Sequence, residues 1–452
     1  MFRTDRKRFS MLLTLCVLIT CLTSCIQNSN NETDSPSISE GSNHFESEAS
    51  VNSSKIEESH ISTEESDEIF QDTVVSFLAC PDNIIHPSVF YDAIERAARK
   101  NGSEPDFSDL HNAEYDFSPI YKNVAEAIKN ADIAYINQET LIGGTSGPII
   151  GYPRFNSPLP VAENLIGLGF DVVNLAHNHM LDSGNEKYLQ YSDSLFKNAG
   201  LITIGYYPDQ ASTENIPVVE KDGIKIAFLA YTYGTNGNRL PSKSTVVIPR
   251  LDKELITKQV TIAKKLADVI IVSTHWGYEN TYNANSEQKE FASIMCELEV
   301  DVILGMHPHV IQPMEWLTSS NGYKTLNVFS LGNFVSGMVS GRNMLGGMLS
   351  LNIVKNAQTN EISIEDPVFI PIVTHYIKGT RVARNDTGYR DFEIYYLKDY
   401  TEELAAIHGV CRYERSHGTT LVGGAYSKET LINTLVKYIP NEFLPPEFRT
   451  EQ

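Results

Sequence analysis

The sequence predicts an α/β protein in which short buried strands alternate with amphipathic helices. Short apolar runs rich in β-branched residues recur along the chain, for example at residues 170–176. Segments with helical apolar spacing separate them, as at residues 91–100 and 120–129. Strands that alternate with helices favour parallel crossover connections. A third observation concerns function, because strand after strand ends in His, Asp, Glu or Asn.

The first 25 residues predict export and attachment to a lipid. Basic residues between positions 3 and 8 precede an apolar run at residues 11–23, which is shorter than the roughly 20 residues that span a bilayer. The run ends in Leu-Thr-Ser-Cys, and this tetrapeptide resembles the lipobox of bacterial lipoproteins. We therefore expect a lipidated Cys25 and a location on the extracytoplasmic face of the cell membrane. An uncleaved anchor or a plain secretory signal is the alternative.

Composition divides the remaining chain into three parts. Residues 26–72 are rich in Ser, Asn, Glu and Asp and predict a disordered acidic tether. Residues 73–340 predict the folded domain with its strand-end polar residues. Residues 341–452 predict strands and then polar helices that either complete this domain or are appended to it.

Charge and cysteine content exclude two classes of protein. The net charge of -21 leaves no basic surplus to neutralise phosphates, which argues against a nucleic-acid partner. Beyond Cys25 the mature chain would keep only Cys80, Cys296 and Cys411, too few for a disulfide framework.

The first two strands of the folded part are each followed by acidic side chains. The strand at 73–79 leads into a loop with Asp82 and His86, and the strand at 131–137 is followed by Glu139. In open α/β sheets, ligands bind at the carboxyl ends of strands. These three residues are therefore candidate metal ligands.

The third strand carries the densest group of polar residues. Residues 170–176 are followed by His177, Asn178, His179 and Asp182. An imidazole and an amide oxygen on adjacent residues offer a metal one N and one O donor. Another imidazole and a carboxylate are then close enough to orient or protonate a substrate.

The second half of the chain repeats the arrangement. The strand at 269–274 ends at His275, and the strand at 300–304 is followed by His307 and His309. N and O donors without paired cysteines suit Mn, Fe, Zn or Mg. Two ions about 3.5 to 4 Å apart would need a bridging ligand, for which Glu139 is the candidate.

Together these segments resemble the bacterial capsule-synthesis CapA family, the poly-γ-glutamate capsule proteins with a PGA_cap domain. The resemblance runs from about residue 74 to 337 and rests on six motifs in order: Asp82 with His86, Asn137-Gln-Glu139-Thr, Asn178-His179 with Asp182, His275-Trp-Gly-Tyr-Glu279, Gly305-Met-His307-Pro-His309-Val, and Ser330-Leu-Gly-Asn333-Phe. The sequence departs from many relatives at Pro81, where they have glycine before the aspartate.

The resemblance implies a fold and roles for individual residues. The family is similar to calcineurin-like metallophosphoesterases, which implies an αββα sandwich of two mixed sheets flanked by helices. It also implies that His179 is the proton donor. The implied metal ligands are Asp82, Glu139, Asn178, His275, His307 and His309.

Three functions are consistent with these residues. The first is a metal-dependent hydrolase or transferase that acts on an extracellular anionic polymer, with a metal-bound hydroxide as nucleophile and His179 as general acid. The second is a non-catalytic metal-binding subunit of a membrane polymer-synthesis complex, with membrane capsule-synthesis subunits as partners. The third is a scaffold in which these residues are structural.

Overall fold

The computed structural model describes residues 71–450 of the 452-residue chain. The predicted signal peptide, Cys25 and residues 26–70 of the predicted tether lie outside the described residues. The predicted sandwich of two mixed sheets flanked by helices is confirmed. No helix within residues 71–450 has the length and hydropathy needed to cross a bilayer.

The described residues form fourteen strands and ten α-helices. The strands are β1 Thr73–Asn83, β2 Ile133–Asn137, β3 Val172–Asn174, β4 Ile202–Ile204, β5 Val218–Lys221, β6 Ile224–Thr232, β7 Val269–His275, β8 Val302–Met306, β9 Ile311–Thr318, β10 Lys324–Leu331, β11 Asn333–Val335, β12 Leu345–Lys355, β13 Ile362–Lys378 and β14 Tyr389–Tyr396. The helices are α1 Pro87–Asn101, α2 Ser118–Tyr121, α3 Ala125–Asn130, α4 Pro160–Leu168, α5 Lys187–Asn198, α6 Lys253–Ala263, α7 Ser286–Glu297, α8 Glu402–Ile407, α9 Val410–His417 and α10 Lys428–Tyr438.

The first sheet has eight strands in the order β14-β13-β12-β1-β2-β3-β4, and β11 pairs with β1 beside this path. Strands β1 to β4 are parallel neighbours, so their carboxyl ends lie at one edge of the sheet. Strand β12 is antiparallel to β1, with Thr73 opposite Lys355. The strands that follow residue 341 therefore extend the same sheet that carries the predicted ligands.

The second sheet has six strands in the order β5-β6-β7-β8-β10-β9. Strands β6, β7, β8 and β10 run parallel. Strands β5 and β6 form a hairpin around Asp222 and Gly223, both with positive φ. The inner faces of the two sheets share one apolar core, in which the Phe77 and Phe228 rings lie 6.2 Å apart.

Local chemistry sets several helix limits. Helix α1 begins at Pro87, whose fixed φ suits the first helical turn, and ends before Gly102 at φ 67. Helix α7 begins with a capping box in which the Asn285 and Gln288 side chains each accept from the other residue's backbone N–H.

Some predicted elements differ from the structure. The strand predicted at 170–176 is limited to Val172–Asn174, because Asn174 Oδ1 accepts the backbone N–H of Ala176 and turns the chain. The single helix predicted at 120–129 is two short helices, α2 and α3. Strand β9 was not predicted: Pro313 interrupts its pattern and is tolerated at a sheet edge.

A buried histidine in the C-terminal region makes contacts that only its neutral form can satisfy. Nε2 of His408 donates to the carbonyl of Thr374 over 3.0 Å, and Nδ1 accepts the N–H of Val410 over 3.1 Å. Burial, together with the nearby His375, lowers the pKa of His408 to about 3. A proton on Nδ1 would break the second contact.

We expect His408 to make the protein less stable in acid. An unfolded histidine has a pKa near 6.5, so below that pH the unfolded chain binds a proton that the folded chain does not. The free energy of unfolding that neutral His408 contributes is therefore lost as pH falls from about 6.5 to 3. At pH 5 the loss is about 2 kcal/mol. Urea unfolding in EDTA at pH 7.5 and pH 5 should show a smaller pH-dependent loss in His408→Gln than in the wild type. Equal losses would contradict the expectation.

Candidate metal centre

The candidate ligands from both sheets meet at one edge of the sandwich. Asp82 is at the end of β1, and Glu139 lies just beyond β2. His275 ends β7, and His307 directly follows β8. The backbone N–H of His307 donates to Asp82 Oδ2 over 3.1 Å, so the edges of the two sheets are in direct contact.

The Asp82 carboxylate is held by hydrogen bonds to both oxygens. Asn137 donates to Oδ1 over 2.6 Å, while Oδ2 accepts from His307 N and from His309 Nδ1, each at 3.1 Å. Asn333 Oδ1 also lies 3.1 Å from His309 Nδ1. These contacts fix the His309 tautomer with a proton on Nδ1 and leave Nε2 to face Glu139.

Glu139 lies between two imidazoles with atoms left unpaired. Its Oε1 is 3.7 Å from Nε2 of His275 and 3.7 Å from Nε2 of His309. Among the described residues, Glu139 Oε2 and the Nδ1 atoms of His275 and His307 are buried without a hydrogen-bond partner. Buried polar atoms are seldom left unpaired, so these atoms are suited to bind a cation.

The electrostatics of the cluster also indicate a need for positive charge. Burial raises the pKa of Glu139 well above its usual value. Burial lowers the pKa values of His275 and His307, and neighbouring imidazoles add to the effect. Burial alone would lower the pKa of His309, but Glu139 and Asp82 raise it to about 10. Asp82 and Glu139 therefore favour positive charge at this point of the cluster.

Three overlapping groups of donors could hold a metal ion. In each group one ligand atom per residue lies within 4.8 Å of the others, and the groups are Glu139 with His275 and His307, Glu279 with His307 and His309, and Asp82 with Glu139 and His309. Each mixes carboxylate O and imidazole N donors, a combination that suits divalent first-row metals. The donors therefore fit a divalent ion. Glu139, His307 and His309 each belong to two of the three groups, so ions in two neighbouring groups could share a ligand.

The loop after β8 adopts an unusual backbone to present its histidines. His307 has φ 94 and His309 has φ 56, a conformation that costs non-glycine residues about 1–3 kcal/mol each. The preceding Gly305 lies against β10: a Cβ there would be 2.1 Å from the Phe329 carbonyl oxygen. The strands can approach this closely only because residue 305 has no side chain.

Gly305→Ala should therefore destabilise the protein by about 1–3 kcal/mol or more, since two backbones would have to separate. A matched control is Gly167→Ala in α4, where a Cβ meets nothing within 4 Å and helix propensity favours alanine by up to about 1 kcal/mol. Urea unfolding of both variants measures the difference. Equal stability of the two variants would contradict the close approach.

Beside the candidate metal donors, His179 and Asp182 form a hydrogen-bonded pair. His179 Nδ1 is 2.7 Å from Asp182 Oδ2, and because a carboxylate only accepts, Nδ1 carries the proton. The same oxygen accepts the Phe155 N–H over 2.7 Å, and the Phe155 ring meets the His179 ring edge to face at 4.7 Å. Asp182 thus fixes the orientation of the His179 imidazole.

The structure brings most predicted site residues together. Asn178 joins the cluster, since its Oδ1 is 3.2 Å from His275 Nε2. His86 is apart from the three donor groups of the described chain, and its Nδ1 accepts from the Gly337 N–H over 3.1 Å. Whether any of these residues ligates an ion stays a prediction.

Several neighbours of the site were not predicted as site residues. Asn137, Asn333 and Glu279 occur in the motifs, and their position within the motifs was the available signal. Tyr233, whose ring lies 4.6 Å from that of His307, follows the apolar strand β6 and has no comparable signal. His177 is buried with Nε2 unpaired among the described residues, and its Nδ1 accepts the His179 N–H over 3.1 Å.

Fold and site together define an α/β two-sheet sandwich with a candidate metal centre of histidines and carboxylates at the edge shared by both sheets. The family model "Bacterial capsule synthesis protein PGA_cap" matches residues 79–338. This is more than half of the chain, and the protein belongs to that family. The resemblance predicted from the six motifs is confirmed.

Two curated relatives support this membership. The PGA biosynthesis protein CapA of Bacillus subtilis (strain 168) is 28% identical over 230 residues, which is 50% of this chain and 59% of that protein. The capsule biosynthesis protein CapA of Bacillus anthracis is 33% identical over 172 residues, which is 37% of this chain and 40% of that protein. The matched region therefore spans less than two thirds of either relative.

Solved structures with some similarity include a phosphatase, a calcineurin-like phosphoesterase and a nucleotidase. A phosphatase of Mycoplasma pneumoniae is 15% identical with a TM-score of 0.37, covering 67% of this chain and 95% of that one. A calcineurin-like phosphoesterase of Bacillus subtilis is 12% identical with a TM-score of 0.36, and the match covers 81% of this chain and 97% of that one. An NAD nucleotidase of Haemophilus influenzae is 13% identical with a TM-score of 0.40, and the match covers 83% of this chain and 64% of that one.

Proposed function

We propose that this chain is a metal-dependent hydrolase or transferase that acts on an anionic capsule polymer outside the cytoplasm. The observation that carries the proposal is the position of Glu139, shared by two donor groups and buried with one oxygen unpaired among the described residues. The shared donors support two divalent ions. Mn, Fe, Zn and Mg all fit the donor types.

The proposed roles of the site residues follow from the geometry of their side chains. Asp82, Glu139, Asn178, His275, His307 and His309 would hold the ions. A bound divalent ion would polarise a phosphoryl or carbonyl oxygen and lower the pKa of a water molecule. His179 would give a proton from Nε2 to the leaving group, while Asp182 keeps its ring oriented.

A non-catalytic role is the second candidate. Both curated relatives have names that refer to biosynthesis. On this alternative the same donors hold a metal in a subunit of a membrane polymer-synthesis complex, and other membrane capsule-synthesis subunits carry out the chemistry.

Elemental analysis followed by a substrate panel tests the proposal. We expect stoichiometric divalent metal in the purified wild type, and EDTA-sensitive turnover of a γ-glutamyl polymer or a phosphodiester. Metal without turnover of either substrate class would favour the non-catalytic alternative. Absence of metal after reconstitution with each of the four ions would refute both.

The proposed location depends on Cys25. We propose that the mature protein begins at a lipidated Cys25 and that this lipid holds it on the extracytoplasmic membrane face, because the preceding residues match a lipobox. Mass spectrometry of the membrane fraction should find a diacylated N-terminal Cys25 peptide, and Cys25→Ala should be released or left unprocessed. An unmodified Cys25 within an intact N-terminal peptide would contradict this proposal.

A further inference from the structure

A cavity of about 700 Å³ opens next to the candidate metal centre. Its walls include His86 and Glu279, and Glu279 belongs to one of the donor groups. This volume suits a ligand of drug-like size, or several units of an extended polymer. The cavity can therefore receive parts of a substrate that reach beyond the metal donors.

Much of the cavity wall lies beyond residue 338, where the family match ends. Nine lining residues belong to this region: Val339, Ser340, Arg342, Asn343, Asn385, Thr387, Tyr413, His417 and Thr420. The metal donors come from the matched part. The C-terminal region consequently contributes a wall to the same site.

Among the described residues, Arg342 is the one arginine or lysine that lines this cavity. Its Nη1 donates to the carbonyl of Asn280 over 3.0 Å, immediately after Glu279 in the chain. The rest of its guanidinium makes no hydrogen bond and no ion pair with residues 71–450. A guanidinium has five N–H donors, so most of them remain for a ligand.

The surroundings of Arg342 hold it beside the metal centre. The side chain of Asn343 donates to Asn280 Oδ1 over 2.8 Å and to the His309 carbonyl over 3.0 Å. The backbone N–H of Arg342 donates to Thr420 Oγ1 over 3.0 Å, which connects it to the C-terminal wall. The guanidinium thus extends from a fixed backbone, and fewer conformations would be lost on binding.

The charges of the lining favour an anion. Within residues 71–450, Glu279 is the one acidic side chain in the wall, and it lies near His307 and His309 as a potential metal donor. Within residues 71–450 the Arg342 guanidinium has no carboxylate within ion-pair distance, so its positive charge is left for a ligand. Guanidinium groups bind carboxylates and phosphates in bidentate geometry.

We propose that Arg342 and this cavity form an oxyanion subsite, which binds a carboxylate or phosphate group of the substrate away from the reacting bond. This inference rests on the proposed function, because it deepens the same site. It assigns selection of acidic substrates to residues outside the family match. The metal donors then act on a bond of a chain already held by its charge.

Isothermal titration calorimetry on the whole protein, stripped of metal with EDTA and then exchanged into EDTA-free buffer, tests the subsite without any turnover. The probes are a short γ-linked oligoglutamate, its analogue with the free α-carboxylates amidated, and inorganic tripolyphosphate. We expect the wild type to bind at least one anionic probe more tightly than the amidated one. Arg342→Gln should weaken that binding at least about tenfold, since a charge-assisted contact is lost. Arg342→Lys should retain part of it.

Arg99→Gln is the matched control, because this exposed arginine on α1 pairs with Asp391. It should bind the probes as the wild type does. Tighter binding of oligoglutamate would identify a carboxylate ligand, and tighter binding of tripolyphosphate a phosphate ligand. Wild-type binding to no anionic probe, equal binding of the amidated probe, or unchanged binding by a folded Arg342→Gln variant would overturn the subsite. Because no metal or turnover is involved, these outcomes are independent of the catalytic proposal.

Discussion

Glu139→Gln should lose most of its bound metal and all measurable turnover. Glu139 contributes to two of the three donor groups, so its loss leaves both short of a carboxylate. The decrease in metal affinity should exceed the roughly 10- to 100-fold that replacing an outer-shell partner costs. Elemental analysis after dialysis against a buffered ion measures this change. Wild-type metal content in the variant would refute the role of Glu139.

The stability of metal-free Glu139→Gln is a second measurement, and here we expect no loss relative to the wild type. Burial raises the pKa of Glu139, so its charged form is unfavourable in the folded protein. A neutral glutamine removes that cost, and the metal-free Glu139→Gln protein should be at least as stable as the metal-free wild type. A purely structural carboxylate would predict the reverse. Glu220→Gln, an exposed change of the same kind on β5, should alter neither metal content nor stability.

His179→Gln should keep its metal and lose turnover by about 10²–10⁴-fold, the usual contribution of a general acid. Its Nδ1 is occupied by Asp182, so Nε2 is the atom that would protonate a leaving group. A substrate with a p-nitrophenolate leaving group needs little protonation, and the loss should be smaller for it. Comparing kcat for activated and unactivated substrates therefore tests proton donation directly.

Controls separate this role from a structural one. His111→Gln changes an exposed histidine far from the donors in sequence and should leave kcat unchanged. Asp182→Asn should lower kcat less than His179→Gln does, because it disturbs the orientation of the ring and leaves the proton donor in place. Equal metal loss in His179→Gln and Glu139→Gln would remove His179 from the role of acid.

The sequence was sufficient to group the candidate site residues because of one property of parallel sheets. Carboxyl ends of neighbouring parallel strands meet at one edge, so Asp82, Glu139 and His275 could be grouped from the strands that precede them. Their burial was also predictable in outline, since each strand is strongly apolar.

Other features depend on contacts between distant segments. The hydrogen bond from the Phe155 N–H to Asp182 brings a glycine-rich loop against the His179–Asp182 pair. No periodic pattern in the sequence predicts this contact. The positive φ of His307 and His309 results from tertiary packing. Likewise, the place of Arg342 follows from hydrogen bonds to Asn280 and Thr420, which lie 62 and 78 residues away in the chain.

The order of the strands along the chain affects how this protein can fold while it is being synthesised. The whole six-stranded sheet is contiguous in sequence, from β5 to β10, whereas the eight-stranded sheet needs β12 to cover the open edge of β1. During synthesis from the N-terminus, β1 to β4 can assemble early, but residues 73–79 on one side of β1 stay unpaired until β12 has emerged. An uncovered strand edge favours pairing with other chains. Truncation before β12 should therefore produce aggregates, and the strand that carries Asp82 would be among the last to gain its full set of neighbours.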